Sequence, residues 1–477
     1  MSSAKKIAKN TSIYFLANLL SFVITFFTTI YTARYLGANG YGILSLALAF
    51  SGIFALISDL GISTLTTREL AKNKSLTDKF VGNTLVIKIM LAIIAIAIIF
   101  IIANLGNYSS EAMMTIYIIS LSIIVGVFPG IFSSVFQAYE KMEYPSVNII
   151  LVATSILMGT LFLIWKGSGV IEFAFLNLGV GLIVLIYSFF VYSWKISIPK
   201  IEFDASFLKR IIKESLPFGL ISLSGMIYTY LDSIILSLLK PIEVVGWYSA
   251  AYRIMLVLLF IPGAINVAVF PVMSKYFSSS QDSLKLIYEK YFKLMIIIVI
   301  PIGFGTFLLA DKIIFIMFGP SYTNSAVILQ ILIWTIVFTF LGAPFVQLFQ
   351  ATNCELIITK ISVICVILNL ILNIILIPKF SYIGASFATL VTEIILVSYI
   401  VIVANKMGYG VPKEKALNII IKVLFSSVVM SVLILYLVNL NLLVLILLSV
   451  FIYLLVLFIL NGIDDDELNI LKQLLKG

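Results

Sequence analysis

Apolar residues in this chain come in runs of about twenty, separated by short polar stretches. That is the length a helix needs to cross the hydrocarbon of a bilayer. The runs predict roughly fourteen spans, at 11–33, 41–64, 80–103, 115–138, 147–165, 171–194, 214–239, 246–270, 291–310, 325–350, 357–377, 382–404, 418–437 and 441–460. Two stretches are patterned differently. FDASFLKRIIKESLPF (203–218) sets Phe207, Leu208, Ile211 and Ile212 on one stripe and Lys209, Arg210 and Lys213 on the other. It predicts an interfacial linker helix with its apolar stripe on lipid, capped by Asp204 or Ser206. IDDDELNILKQLLKG (463–477) opens with Asp464, Asp465, Asp466 and Glu467, where a helix dipole favours anions, and continues with the stripe Leu468, Leu471 and Leu475.

Composition agrees with the pattern. Hydrophobic residues make up 62% of the chain and charged residues 11%, with mean hydropathy +1.17. Soluble proteins carry about 45–50% and about 25%. An all-α polytopic membrane protein is expected. The first run exceeds a signal-peptide core of about 7–15 residues and lacks a small-residue cleavage site, so it reads as the first span. The net charge of +9 is placed in loops and against anionic lipid rather than on nucleic acid. Of 31 lysines and arginines, 24 fall on alternate loops and termini, while Arg34, Lys166, Lys240, Lys312 and Lys379 fall on the opposite side. Cationic loops stay inside, so both termini are expected in the cytoplasm, with the protein in the cell membrane.

Internal similarity organises the spans. Lys9 to Gly42 and Lys213 to Gly246 are equal intervals at an offset of 204, and YGILSLA (41–47) aligns with VGWYSAA (245–251). FQAYEKMEY (136–144) resembles FQATNCELI (349–357) at an offset of 213. Two six-helix lobes follow, residues 1–200 and, with the linker, 201–410. Residues 411–477 add two spans and a cytoplasmic tail. Because six is even, the lobes share an orientation, and their pseudo-two-fold runs along the membrane normal.

A charge at the bilayer centre costs at least about 2.5–3.5 kcal/mol, so charges there need a reason. Asp232 sits mid-span in MIYTYLDSIILSLL (226–239), and Glu393 in the twelfth span. Each lines a hydrated cavity or forms a structural ion pair. Asp59 and Lys88 lie toward the inner side. Asp59 either pairs with a basic group such as Arg68 or lines the cavity, and Lys88 either snorkels or does the same. Arg34 and Arg253, near outer ends, carry the same two readings. Asn18, Asn83, Asn148, Asn177, Asn266, Gln347, Asn369 and Asn373 are interhelical glue singly and a polar interior together. Pro129, Pro217, Pro262 and Pro344 allow helices to bend.

Catalytic chemistry finds little support. The chain has no histidine and no G-x-x-x-x-G-K-[ST] loop. Its cysteines, Cys354 and Cys365, read as apolar filler. No enzyme, no metal ligand and no catalytic residue is expected.

TARYLGANGYGILSLALAF (32–50), followed by SDLGISTLTTRELAK (58–72), resembles the opening of Wzx-type polysaccharide flippases of the multidrug/oligosaccharidyl-lipid/polysaccharide (MOP) exporter superfamily. YLDSIILSLLKPIEVVGWYSAAYRI (230–254) resembles that family's seventh and eighth helices. VFPVMSKYF (269–277), FGPSYTNSAVILQILIW (318–334), FQATN (349–353) and ILNLILNIILIPKFSYIGASFATLVTE (367–393) follow in order, so the resemblance covers nearly the whole chain. It implies twelve core helices in two lobes plus two C-terminal ones. It also implies translocation of polyprenyl-linked oligosaccharide from the cytoplasmic to the outer leaflet by alternating access. The implied cavity is usually cationic and lined by helices 1, 2, 7 and 8. The carried-over candidates are Arg34, Asp59, Arg68, Lys88, Asp232, Arg253 and Asn18. Asp232 would face that cavity, pairing with Arg253 or Arg34. Asp232 and Glu393 are candidates for coupling to an H+ or Na+ gradient, and two mid-membrane acids depart from a strongly cationic lumen. No cofactor is implied. Expected partners are the lipid-linked oligosaccharide, membrane lipids, and glycosyltransferases or polymerases of the same pathway. Two alternatives stand beside this: a cation-coupled multidrug antiporter of the superfamily, and a non-transporting membrane scaffold for glycan assembly.

Overall fold

The computed structural model describes residues 3–462, and every regular element among them is helical. The α-helices are α1 (Ser3–Asp59), α2 (Ile62–Lys72), α3 (Thr77–Leu105), α4 (Ser110–Ala138), α5 (Glu143–Lys166), α6 (Val170–Lys195), α7 (Ala205–Leu239), α8 (Ile242–Ser279), α9 (Gln281–Phe318), α10 (Asn324–Ala351), α11 (Glu355–Lys406), α12 (Lys413–Tyr436) and α13 (Leu442–Ile459). The amphipathic segment expected at 463–477 lies outside the described residues.

Two helices are too long for one crossing. α1 has 57 residues and α11 has 52, against about 20 for a span. Each breaks once, α1 at Gly37 (φ 67°) and α11 at Ser381 (φ 52°), and each supplies two spans. With these breaks, the fourteen predicted spans map onto α1 and α3–α13. α2 is a short helix outside that set.

The linker helix forms, but not as expected. It is the first part of α7, which bends by 67° between 205–220 and 225–239. Asp204 caps it, accepting from the Ser206 and Phe207 amides, and Asn83 on α3 accepts from the Asp204 amide at 2.7 Å. Phe207, Leu208 and Ile211 are buried against protein rather than lipid, and Phe207 meets Phe80 of α3 edge-on at 5.0 Å. Ile212 alone of the four is exposed. Helix packing outcompetes lipid for this stripe because α3 offers complementary aromatic surface.

Packing divides the chain into compact units, residues 1–249 and 250–477. In the first, the second half of α1 runs antiparallel to α7, and beside the start of α8, along a seam of glycines. A Cβ at Gly42 would collide with the Ile242 carbonyl and the Gly246 amide, and one at Gly246 with the Ala38 carbonyl. Further along, a Cβ at Gly52 would stand 2.9 Å from the Tyr230 ring. At the far end Gly61 meets the backbone of Ser215 and Gly219, and Gly219 that of Leu60. Removing side chains lets backbones approach, which gains dispersion contacts where lipid supplies no hydrophobic drive. The first crossing is reciprocal. At the 204-residue offset Ala38 corresponds to Ile242 and Gly42 to Gly246, and the contacts exchange in that way, the mark of a local two-fold.

The second repeat match is equally concrete. α4 and α10 end in the same cap. Glu140 and Asn353 both take φ 56°, Lys141 donates to the Phe136 carbonyl, and Cys354 to the Phe349 carbonyl. Both are Schellman turns 213 residues apart. In the second unit Cys365 is buried in a cluster with Tyr288, Phe345 and Phe349. α12 and α13 dock on α9 through backbone repair. Pro301 cannot donate to the Ile297 carbonyl, and the Tyr453 hydroxyl of α13 donates to it instead, at 2.7 Å. Lys312 likewise donates to the Val438 and Leu440 carbonyls between α12 and α13.

Gly246→Leu should drive a side chain into the Ala38 backbone, costing at least the roughly 1–3 kcal/mol of overpacking. The expected result is a lower melting temperature or loss of the monodisperse peak in heated size-exclusion runs. Gly225→Ala, where an added Cβ meets nothing within 4 Å, should match or exceed the parent. Tyr453→Phe should destabilise by about 1–3 kcal/mol by orphaning the Ile297 carbonyl, read in the same runs.

Candidate functional site

α1 ends at Asp59, and the chain kinks through Leu60 (φ 43°) and Gly61 (φ 77°) before α2 starts at Ile62. The kink keeps Ser63 one turn beyond Asp59, and its hydroxyl donates to Asp59 Oδ1 at 2.5 Å. Lys88 of α3 brings its Nζ to the same oxygen at 2.5 Å and donates to Ser63 Oγ at 2.9 Å. Acid, hydroxyl and ammonium thus close a triangle. Gly130 of α4 borders it, and a Cβ there would stand in ordinary contact, 3.7 Å from Lys88 Nζ. Thr67, a turn further along α2, lies within bonding distance of the Ser63 and Ser134 carbonyls.

Burial is uneven across the triangle. The Lys88 side chain is 4% exposed and that of Asp59 24%. Lys88 therefore does not snorkel, because its ammonium is neutralised where it stands. Nor does Asp59 pair with Arg68. That arginine is exposed, bonds Glu69 at 2.8 Å, reaches Glu214 at 3.6 Å and lies over the Phe218 ring at 5.4 Å. The reason is direction. α2 carries Arg68 away from the α1–α3 interface, whereas Lys88 points into it.

The other predicted residues are not drawn into this triangle. Asp232 of α7 is 2% exposed and accepts from the Tyr248 hydroxyl of α8 at 2.5 Å. That bond ties Asp232 to the next helix. Arg34 is exposed, three residues before the Gly37 break. Asn18 is exposed, and its amide donates back to the Tyr14 carbonyl. Arg253 is half-buried on α8, in the second unit. Glu393 of α11 is buried there and accepts from Thr339 of α10 at 2.7 Å.

Sequence reasoning missed Ser63, Glu214, Tyr248 and Thr339. For Tyr248 a signal existed. At the repeat offset Asp232 and Tyr248 replace Thr28 and Leu44, so acid and phenol appear together in one half. Ser63, four residues after Asp59, sits at helical spacing, but the intervening break hid it.

Outside the spans, Asp204 is held well below the ordinary carboxyl range by Ser206, by the Phe207 amide and by Lys79, whose Nζ is 3.0 Å away.

Residues 7–277 match the family model described as "Polysaccharide biosynthesis protein", and residues 217–375 the model MatE. The chain belongs to the polysaccharide biosynthesis protein family. It is thereby a Wzx-type member of the MOP superfamily and a transporter by kinship. Among relatives, the "Probable low-salt glycan biosynthesis flippase Agl15" of Haloferax volcanii is 25% identical over 397 residues, 80% of each chain. The "Capsular polysaccharide biosynthesis protein CapF" of Staphylococcus aureus is 24% identical over 404 residues, 82% of this chain and 98% of that one. In fold the chain is similar to "Lipid II flippase MurJ, inward closed conformation", with TM-score 0.78 and 19% identity over 93% of this chain and 97% of the other.

The cap makes a pH prediction. Asp204's folded value lies below its ordinary 3.8, so its contribution is complete above that value and is lost as pH falls below it. Asp204→Asn keeps a capping oxygen but removes the titration. Melting temperatures measured between about pH 3 and pH 6 should therefore fall less steeply in the variant than in the parent.

Proposed function

We propose that this protein moves a polyprenyl-linked oligosaccharide from the cytoplasmic to the outer leaflet of the cell membrane by alternating access, for cell-surface polysaccharide or glycan synthesis. Kinship to flippases and transporters of glycan pathways supports the substrate class. The lysine and arginine skew supports cytoplasmic termini. The observation that carries the reading is the Asp59–Ser63–Lys88 triangle, a cation stored inside the bundle by an acid that is itself a quarter exposed. A diphosphate offers Lys88 a doubly charged acceptor in exchange for one carboxylate, and charge-assisted bonds of this kind are the strong ones. Once Lys88 turns to the substrate, Asp59 must take another cation. Uptake of H+ or Na+ there couples the cycle to a gradient, with Asp232 and Glu393 as further coupling candidates. The exchange also loosens the Leu60–Gly61 kink, where Gly61 packs on Gly219, so head-group binding reaches the α1–α7 seam. Glycosyltransferases or polymerases of the same pathway would supply and consume the lipid.

The MatE match over residues 217–375 favours one second reading, cation-coupled export of small molecules.

The test is leaflet transfer of a labelled polyprenyl-diphosphate oligosaccharide in proteoliposomes. The wild type should accelerate it. Lys88→Gln should slow it about ten-fold or more, the cost of one charged hydrogen bond of about 1.5–3 kcal/mol, with Asp59→Asn/Lys88→Gln as the variant that leaves no unpaired charge. Wild-type rates in Lys88→Gln would discard the triangle and shift attention to Asp232→Asn and Arg253→Ala. Cationic dye exchanged for protons or sodium, with the lipid unmoved, would establish the antiporter. Neither movement would leave the scaffold.

A further inference from the structure

The amphipathic stripe of the linker helix turns toward protein, yet the segment just before it turns apolar side chains outward. Between α6 and α7 the chain runs irregularly, over 196–204. Pro199 has no amide hydrogen to continue α6, and it disposes Ile198 to extended backbone. α3 then holds this segment by its backbone and its polar groups, at three levels. The Ser197 hydroxyl donates to Asp78 Oδ1 at 2.7 Å. Gly82 lies so close that a Cβ there would collide with the Lys200 carbonyl and the Glu202 amide. Asn83 accepts from the Asp204 amide at 2.7 Å. A segment pinned in this way presents its apolar side chains instead of burying them. Ile198, Ile201 and Phe203 are 67–77% exposed, although none of them lies in a span. Outward apolar surface of this kind marks contact with a membrane or a protein.

We propose that residues 194–203 dock into the inner leaflet of the membrane, so that lipid covers Trp194, Ile198, Ile201 and Phe203. Three features favour lipid over a protein partner. The first is continuity. Ile186, Phe190 and Trp194 follow one another at four-residue spacing on α6 and are all exposed, so one lipid-facing stripe runs down the span and leads into Ile198. The second is the end of that span, where the Lys195 ammonium lies over the Trp194 ring at 3.5 Å. Tryptophan and lysine at the end of a span are the anchors of a membrane–water boundary. The third is charge. Lys200 and Glu202 are interleaved with the apolar side chains and are exposed too. Charges suit the headgroup boundary, whereas the core of a protein interface is depleted of them. Docking there fixes the depth of the inner end of α3 through Asp78, Gly82 and Asn83. Lys88 stands little more than a turn further along that helix, so the leaflet sets its depth as well, whatever substrate is moved.

The experiment is fluorescence quenching in proteoliposomes. Ile198→Cys, Ile201→Cys and Phe203→Cys, each in the full chain carrying Cys354→Ser and Cys365→Ala, are labelled with nitrobenzoxadiazole. Nitroxide-bearing phospholipid should quench all three labels. Iodide in the buffer should quench them less than the same label at Lys72→Cys, a position whose side chain is 63% exposed on α2. Iodide quenching equal to that at Lys72→Cys would overturn the docking. Shelter from both quenchers would overturn the leaflet and assign the face to protein, either a second copy or the chain's own ends. If the cysteine variants do not stay monodisperse, unlabelled protein reads the same depth through Trp194. The emission lost on Trp194→Phe should be the part that brominated phospholipid quenches. Loss of the iodide-quenched part instead, or of neither part, would overturn the proposal.

Discussion

An ammonium group inside an apolar bundle dictates much of the first unit. Lys88 cannot be left unpaired, because breaking a buried ion pair costs about 3–5 kcal/mol. Asp59 must therefore end its helix within reach, and Ser63 must fill the remaining valence. The chain meets both demands by breaking between α1 and α2 instead of continuing straight. That break needs two residues of positive φ, and the second, Gly61, also lies against the backbone of α7. One electrostatic requirement thus fixes a turn, a glycine and a helix contact.

The same economy runs along the α1–α7 seam. In hydrocarbon, apolar side chains gain little by leaving lipid, so close backbone approach and satisfied polar groups hold helices together. Gly52 and Gly61 provide the approach to α7, and Gly42 the approach to the start of α8. Asp232 and Tyr248 provide a polar bond between the consecutive helices α7 and α8. In the second unit the currency is backbone oxygen. Pro301 frees the Ile297 carbonyl, and Tyr453 takes it, so a helix added after the duplicated core acquires an address. Lys312 does the same for the carbonyls between α12 and α13.

Transport requires such contacts to exchange rather than merely hold. The triangle is suited to exchange because its acid is partly exposed while its cation is not. A fully enclosed pair would be a strut, and a fully exposed one would be screened. Asp232 and Glu393 are more enclosed, each meeting a hydroxyl from a neighbouring helix, which suits the holding of helices as well as the coupling proposed for them.

The sequence by itself determined the class, the number and the order of the spans. About twenty apolar residues are needed to cross a bilayer whatever the fold, and backbone polarity leaves helix as the available conformation. The duplication was also legible, because Gly42 with Gly246 mark a close backbone approach and the FQA at 136 and 349 leads into the same left-handed cap, at Glu140 and Asn353. The site was legible only as a set of costly charges. Which charge meets which depends on helix direction and rotation, and spacing along the chain does not carry these. Asp59 has Arg68 nine residues away and Lys88 twenty-nine away, yet only the second points into its interface. Likewise the stripe of Phe207, Leu208 and Ile211 looks the same in sequence whether lipid or protein covers it. Tertiary structure chose protein, because α3 presented Phe80 at the right height.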